Sequence, residues 1–491
     1  MQATPTFAVL GAVNHGKSSV AATLAENDQV RISRTPGETV EVQRFALGEL
    51  FVFFDTPGFQ NAREALAELR PAAEAADPLQ VFAQFIARHR GEPEFDAECR
   101  LFEPVVQGAG IVYVVDGSRP VLDLHLAEME LLRLTGAPRV ALINRTGAQD
   151  HVAEWRRRLG QHFNAVREFD ALQAGFAERI ELLETLAGIE QRWKPRLMQA
   201  VQLLRDEWRQ RLDDAAALIV ELLADLLQHR ETAEAPPGGT PPAQAEAAAQ
   251  ALKQRYMDAV AQREAQAHRA LIALFGHRLV KAGTLPAELL RDGLFSEATW
   301  SLLGLNARQL LAAGATAGAA VGMGADLLTA GHTLLAGSAI GAAVGAAGAL
   351  ALGKRQPEIR VGLPAGRWPS ALKSVLPGGL KLGGRALAVG PYGALNFPWI
   401  VLDRALGTVA YVMRRAHARR DEVTLQAEAL QQLLEQQQLA SRQWSEAERK
   451  TCERAFAAVR KQRLDDEQRQ ALQAVIRRRL DSVQAPPRAP A

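Results

Sequence analysis

The chain has 491 residues, 48% of them hydrophobic and 23% charged, which excludes an intrinsically disordered protein and leaves room for two or three folded domains. Its 57 basic and 55 acidic residues leave a formal net charge of +2, too small for a dedicated nucleic-acid coat, so any basic surface is local. Two distant cysteines, Cys99 and Cys452, without a CxxC pair or metal-spaced histidines, exclude a disulfide scaffold and a structural zinc site.

The opening MQATPTFAVLG lacks the basic, apolar and small-residue succession of a signal peptide, so the expectation is a cytoplasmic chain, with a reservation for residues 310–353. The first third alternates short apolar runs with helical stretches, the pattern of an α/β domain with a mostly parallel sheet. Residues 7–10, 50–54, 111–115 and 140–143 are the expected core strands. Residues 40–47 alternate polar and apolar, as an edge or antiparallel strand with one wet face would.

Residues 11–18, GAVNHGKS, satisfy GxxxxGK[ST] between the apolar run FAVL and the helical run SSVAATLAE. Such a loop, here Gly11, Asn14, His15 and Gly16 leading into Lys17, Ser18 and Ser19, wraps phosphate oxygens with backbone N–H groups at a helix N-terminus. Lys17 and a magnesium ion on Ser18 would neutralise the phosphate charge. Asp55-Thr-Pro-Gly58 follows the apolar run LFVFF at the end of a strand. Asp55 would hold magnesium through water, and the Gly58 N–H would sense a γ-phosphate. Residues 34–40, RTPGETV, offer Thr35 and Thr39 to cap the metal.

On these motifs, residues 5–185 resemble the P-loop GTPases of the Era and TrmE type, a group that includes ribosome-binding members. The resemblance implies GTP and GDP as ligands, slow intrinsic hydrolysis as a timer, magnesium on Ser18, Thr39 and Asp55, and Lys17, Thr39 and Gly58 as the catalytic set. Thr39 is preferred over Thr35 because PGETVE resembles PGxTRD, although Val40 and Glu41 depart from it. Phe59 follows Gly58 where a glutamine could stand, so another group would position the attacking water. Asn14 matches the asparagine that holds a potassium ion in TrmE-like members, the alternative being an asparagine that stabilises a turn. Asn144 and Arg145 match the start of NKxD, but the base-reading carboxylate is replaced by Gly147, which removes a charge-assisted contact pair of about 2–3 kcal/mol. Weak guanine preference is therefore expected, Asp150 lying too far along the chain to substitute, and no later Ser-Ala motif is recognisable.

Residues 1–188 are thus expected to form the GTPase domain and 189–230 a long amphipathic helix, with Trp193, Leu197, Val201, Leu204, Trp208 and Leu212 on one stripe. Residues 231–246, with four prolines and two glycines, are expected to be a linker. Residues 247–483 are expected to be a helical domain and 484–491 a frayed tail, with Ser445 and Glu448 forming a capping box. Residues 357–398 carry recurrent Gly and Pro and no clear elements.

Residues 190–480 resemble the uncharacterised C-terminal domain of a proteobacterial GTPase family, on the stretch NFPWIVLDRAL at 396–406 and the basic RRAHARR at 414–420. Within residues 310–353, Gly314, Gly318 and Gly322, then Gly337, Gly341 and Gly345, recur one helical turn apart, a glycine-zipper hairpin that suits lipid or a close-packed soluble pair equally in pattern. The leading expectation is a GTP-driven switch whose helical domain meets the inner membrane or a membrane protein. The rival is a GTPase acting on the ribosome, RNA or tRNA modification, although no KH loop or RNP sheet is recognisable. A scaffold that scarcely hydrolyses and a homodimer complete the alternatives.

Overall fold

The computed structural model describes residues 4–24, 43–47, 50–145, 147, 149–171, 174–234, 236, 241–276, 359–362, 386–414 and 444–484. Thr35 and Thr39, both glycine ladders, residues 415–420 of the basic run and the tail 485–491 lie outside them. The chain divides into two compact units, residues 1–210 with 413–421, and residues 211–412 with 422–491.

The first unit is built on a six-stranded sheet in the order β2-β3-β1-β4-β5-β6. β1 (Thr6–Leu10), β3 (Phe51–Asp55), β4 (Gly110–Asp116), β5 (Arg139–Asn144) and β6 (Ala165–Glu168) run parallel, while β2 (Gln43–Leu47) pairs antiparallel with β3 at the edge. The central strands are apolar on both faces because helices cover both, as a parallel sheet requires. Ala8, Leu10, Ile111, Tyr113, Ala141 and Ile143 join one core, and Phe7, Val9, Val112, Val114, Val140 and Leu142 the other. The register pairs Val9 with Asp55 and Asp116 with Asn144, so all three polar residues arrive at the carboxyl edge of the sheet.

α1 (Lys17–Leu24) follows β1, and three helices intervene between β3 and β4, namely α2 (Ala62–Ala75), α3 (Pro78–His89) and α4 (Asp96–Val106). α5 (Asp123–Leu134), α6 (Val152–Leu159) and α7 (Phe176–Ile189) complete the crossovers. α8 (Lys194–Gln228) carries five residues of the stripe expected from the sequence, Trp193 lies just before it, and all six are buried. Trp193 stands edge-on against Phe7 of β1, with ring centroids 4.9 Å apart.

In the second unit, β7 (Glu231–Glu234), β9 (Ala386–Val389) and β8 (Ile359–Gly362) form an antiparallel sheet in that order. Residues 231–234 are therefore a strand, not the linker that the nearby prolines suggested. Their backbone partners lie in residues 386–389, far along the chain, where no local pattern reveals them. The proline pair at 241–242 starts α9 (Pro242–Leu274), since proline at a first helical position gives up only an N–H that would have no intrahelical partner. α10 (Phe397–Arg414), α11 (Glu446–Arg460) and α12 (Asp466–Gln484) follow. The capping box stands at the start of α11, where the Glu448 N–H donates to Ser445 Oγ at 3.3 Å and the Ser445 N–H to Glu448 Oε2 at 3.0 Å.

Arg404, within the NFPWIVLDRAL stretch on α10, is buried against Glu264 of α9. Its Nε donates to Oε1 at 2.6 Å and Nη2 to Oε2 at 3.2 Å, a bidentate pair. His268, one turn along α9, faces Thr408, and burial pushes its pKa down to about 4, so the ring is neutral near pH 7. Removing one member of such a pair strands a charge in the core. Arg404→Met should lower the unfolding free energy by about 3–5 kcal/mol, and the double change Glu264→Leu with Arg404→Met should recover most of that loss. Chemical denaturation of the full chain measures both.

Candidate functional site

The carboxyl edge of the sheet carries a loop whose backbone only certain residues allow. Gly11 has φ 144°, and a Cβ there would lie 2.2 Å from the Val114 carbonyl oxygen. Gly16 has φ 87°, and Asn14, exposed, has φ 67°, a left-handed conformation that asparagine tolerates better than most residues. Lys17, Ser18 and Ser19 form the first turn of α1.

Lys17 is buried, and its Nζ donates to the carbonyls of Gly11 at 3.1 Å and Ala12 at 3.0 Å. Burial brings its pKa down to about 8, opposed by the charges of Asp55 and Glu128, so the ammonium persists near neutral pH. Asp55 has no exposed surface, and neither carboxylate oxygen accepts a full hydrogen bond from the protein. Burial raises its pKa, while the Ser18 hydroxyl and the Lys17 charge favour the ionised form. Glu128 of α5, which the sequence reading passed over, is also fully buried; the Tyr113 hydroxyl donates to it at 2.7 Å. Burial pushes its carboxyl up to about 7.

Thr56 ties the next segment down through Oγ1 to the Val9 carbonyl at 2.9 Å. Gly58 lies against the first loop so closely that a Cβ would meet the Val13 nitrogen at 2.8 Å, and Phe59 bridges to Ala12. The Phe59 side chain is buried, facing Phe102 of α4.

Asn144 is buried and joins two segments, with Nδ2 donating to the His15 carbonyl at 3.1 Å and Oδ1 accepting from the Ala171 N–H at 3.0 Å. Thr23 Oγ1 donates to the Ala171 carbonyl at 2.9 Å. The run Phe169-Asp170-Ala171 after β6 thus occupies the place for which no later motif was recognisable. Phe169 and Ala171 are buried and flank a half-buried Asp170. His15 acts on Asn144 through its backbone. Its ring points inward, 5.2 Å from the His125 ring centroid, and burial holds its pKa down to about 3.

Arg145 is half-exposed and lies 3.6 Å from Asp150 and 3.7 Å from Glu168. Asp150 also accepts from the Val152 N–H at 3.1 Å, an engagement at the start of α6 that leaves it poorly placed to act elsewhere. Gly147 stands beside Ser118, and a Cβ there would meet Ser118 Oγ at 3.0 Å.

A hard divalent cation fits these donors. Asp55 offers buried, unsatisfied oxygens beside the Ser18 hydroxyl, the all-oxygen environment that magnesium takes together with water and phosphate. Such an ion would supply charge stabilisation to a bound triphosphate, whose phosphates Lys17 and the loop amides would hold.

Residues 6–145 match the 50S ribosome-binding GTPase family, and residues 156–480, well over half of the chain, match the Domain of unknown function (DUF3482). The chain belongs to the DUF3482 family. It is a DUF3482 protein that carries a P-loop GTPase domain at its N-terminus, and GTPases of this kind typically use magnesium. A probable GTP-binding protein EngB from Dechloromonas aromatica is 29% identical over 140 residues, covering 28% of this chain and 54% of that protein. Another, from Gemmatimonas aurantiaca, is 40% identical over 74 residues, covering 14% and 36%. The chain therefore spans about half or less of these relatives' length. Among solved structures, an NFeoB variant from S. thermophilus bound to GMPPNP is 16% identical over 55% of this chain and 88% of that one, with a TM-score of 0.25. An Era variant from Aquifex aeolicus bound to GDP and aluminium fluoride is 14% identical over 56% and 90%, with a TM-score of 0.24.

Gly147→Asp should restore a carboxylate on the base side and raise the ratio of GTP to ATP affinity by about tenfold, the crowding against Ser118 consuming part of the full charge-assisted gain. Competition binding with both nucleotides measures the ratio.

Proposed function

We propose that this DUF3482 protein is a GTP-binding and GTP-hydrolysing switch whose C-terminal domain carries the nucleotide state to a membrane surface. The observation that supports the first half most directly is the fully buried Asp55, unsatisfied at both oxygens beside Ser18 and Lys17. A buried carboxylate with fewer donors than its two oxygens can accept is costly to a fold, and a ligand that completes its shell offsets that cost. In this reading Gly11, Gly16, Lys17, Ser18 and Ser19 hold phosphates, Asp55 and Ser18 share magnesium with Thr39, and Gly58 reports the γ-phosphate to the residues that follow it. Asn144 and Arg145 frame the base with the segment 169–171. Asn14, exposed in a left-handed turn, is the residue for a potassium ion. With Phe59 turned inward, no side chain at that position activates water, so intrinsic hydrolysis is slow.

The membrane half rests on the glycine ladders of residues 312–353. No helix among the described residues is long and apolar enough to cross a membrane. The description of the N-terminal family as 50S ribosome-binding favours the second reading, an action on ribosomal particles.

One experiment separates the two. Full-length protein loaded with a non-hydrolysable GTP analogue should float with anionic liposomes, while a form lacking residues 312–352 should stay at the bottom of the gradient and bind the nucleotide as before. Protein that never floats in either nucleotide state, and that sediments with ribosomal particles instead, contradicts the membrane reading.

A further inference from the structure

The loop after Gly58 is held from two sides. On one side it touches the phosphate loop through Gly58 and the Ala12–Phe59 bridge. On the other it meets α4, part of the three-helix segment between β3 and β4. Glu98 of α4 has no exposed surface, and its Oε1 accepts from the Gln60 N–H at 2.8 Å and the Asn61 N–H at 2.7 Å. Asn61 Nδ2 donates to the Glu94 carbonyl at 2.5 Å. One turn beyond Glu98, Phe102 faces Phe59 and packs edge-on against Phe82 of α3, with centroids 6.1 and 4.7 Å away.

This arrangement is more than ordinary helix capping. The amides that Glu98 takes belong to residues 60 and 61, ahead of the first residue of α2, and Asn61 makes no side-chain cap of its own. The second oxygen, Glu98 Oε2, is buried without a hydrogen-bond partner. Burying a carboxylate with one oxygen unbonded is unfavourable, and the two amide bonds at Oε1 are what offset that cost. What a carboxylate adds is direction: two converging charge-assisted bonds fix the backbone of residues 60 and 61 relative to α4.

We propose that Glu98 is a positioning residue for the γ-phosphate side of the site. It sets the backbone of residues 58–61 against the phosphate loop, and it makes α4 and the α3 surface packed on it respond to whether a third phosphate is present. The proposal rests on the nucleotide reading above. The third phosphate lies next to Gly58 in that reading, and the diphosphate does not reach it. Selectivity between the two nucleotides should therefore depend on Glu98, and diphosphate affinity should not.

Titration of the full-length protein with fluorescent GDP and a fluorescent non-hydrolysable GTP analogue, in the presence of magnesium, tests this. Glu98→Leu should weaken the analogue tenfold or more and change GDP by less than twofold. Glu98→Gln, which keeps an acceptor oxygen, should recover most of the analogue affinity. Equal weakening of both nucleotides in Glu98→Leu, or no change in either, would overturn the role. In the wild type, hydrogen exchange of residues 58–61 should slow further with the analogue than with GDP, and identical exchange in the two states would also overturn it. This measurement does not depend on a folded variant. A wild-type protein that binds neither nucleotide would defeat the underlying site reading and this role with it, whereas binding without the Glu98 effects would defeat this role alone.

Discussion

The buried ammonium of Lys17 and the buried carboxylate of Asp55 set the terms for the first unit. Each is removed from water, and neither is fully matched by the protein: Lys17 leans on two loop carbonyls, and Asp55 lacks full hydrogen bonds. Holding them requires rigid surroundings, because unmatched charges would otherwise draw in water or pull the loop apart. The parallel strands deliver both residues to one edge, and the glycines at 11 and 16 permit the loop that wraps Lys17. Asn144 then fastens that loop to the segment after β6. The unit is built around a charge arrangement that a metal–phosphate ligand would complete.

The second unit solves a similar problem without a ligand. Glu264 and Arg404 satisfy each other in a bidentate pair, and Thr408 faces the neutral His268. The contrast is informative. Both oxygens of Glu264 are engaged by Arg404, whereas Asp55 has only the Ser18 hydroxyl and the nearby Lys17 charge to offset its burial.

How far the sequence disclosed this depended on the range of each interaction. The two phosphate-side motifs were legible because their residues are contiguous and stand at strand ends whose apolar runs are plain. The stripe on α8 and the Ser445–Glu448 box were legible for the same reason, since helix periodicity and caps act over three or four residues. β7 was hidden, because a four-residue strand of Glu, Thr and Ala takes its identity from a partner in residues 386–389. Glu98, Glu128 and Glu264 carry no mark in the sequence that separates them from exposed helical glutamates. Only the packing of α4, α5 and α9 shows that each is buried and what it binds. The segment 169–171 stood one step beyond recognition, since an aspartate occupies the place where a serine would have signalled it. Thr39, expected to cap a metal, and the glycine ladders lie outside the described residues.

The central claim is that Asp55 is an open half of a metal–nucleotide site, and thermal unfolding of Asp55→Asn beside the wild type tests it most directly. Without ligand, the variant sheds an incompletely bonded buried charge but also takes a counter-charge from Lys17, so the two effects offset and its stability should stay close to that of the wild type. With magnesium and a non-hydrolysable GTP analogue at about a hundred times the dissociation constant, the wild type should gain roughly 2–3 kcal/mol of stability, and the variant should gain far less. A variant that is strongly destabilised without ligand, or that shows the full magnesium-dependent gain, would contradict the account.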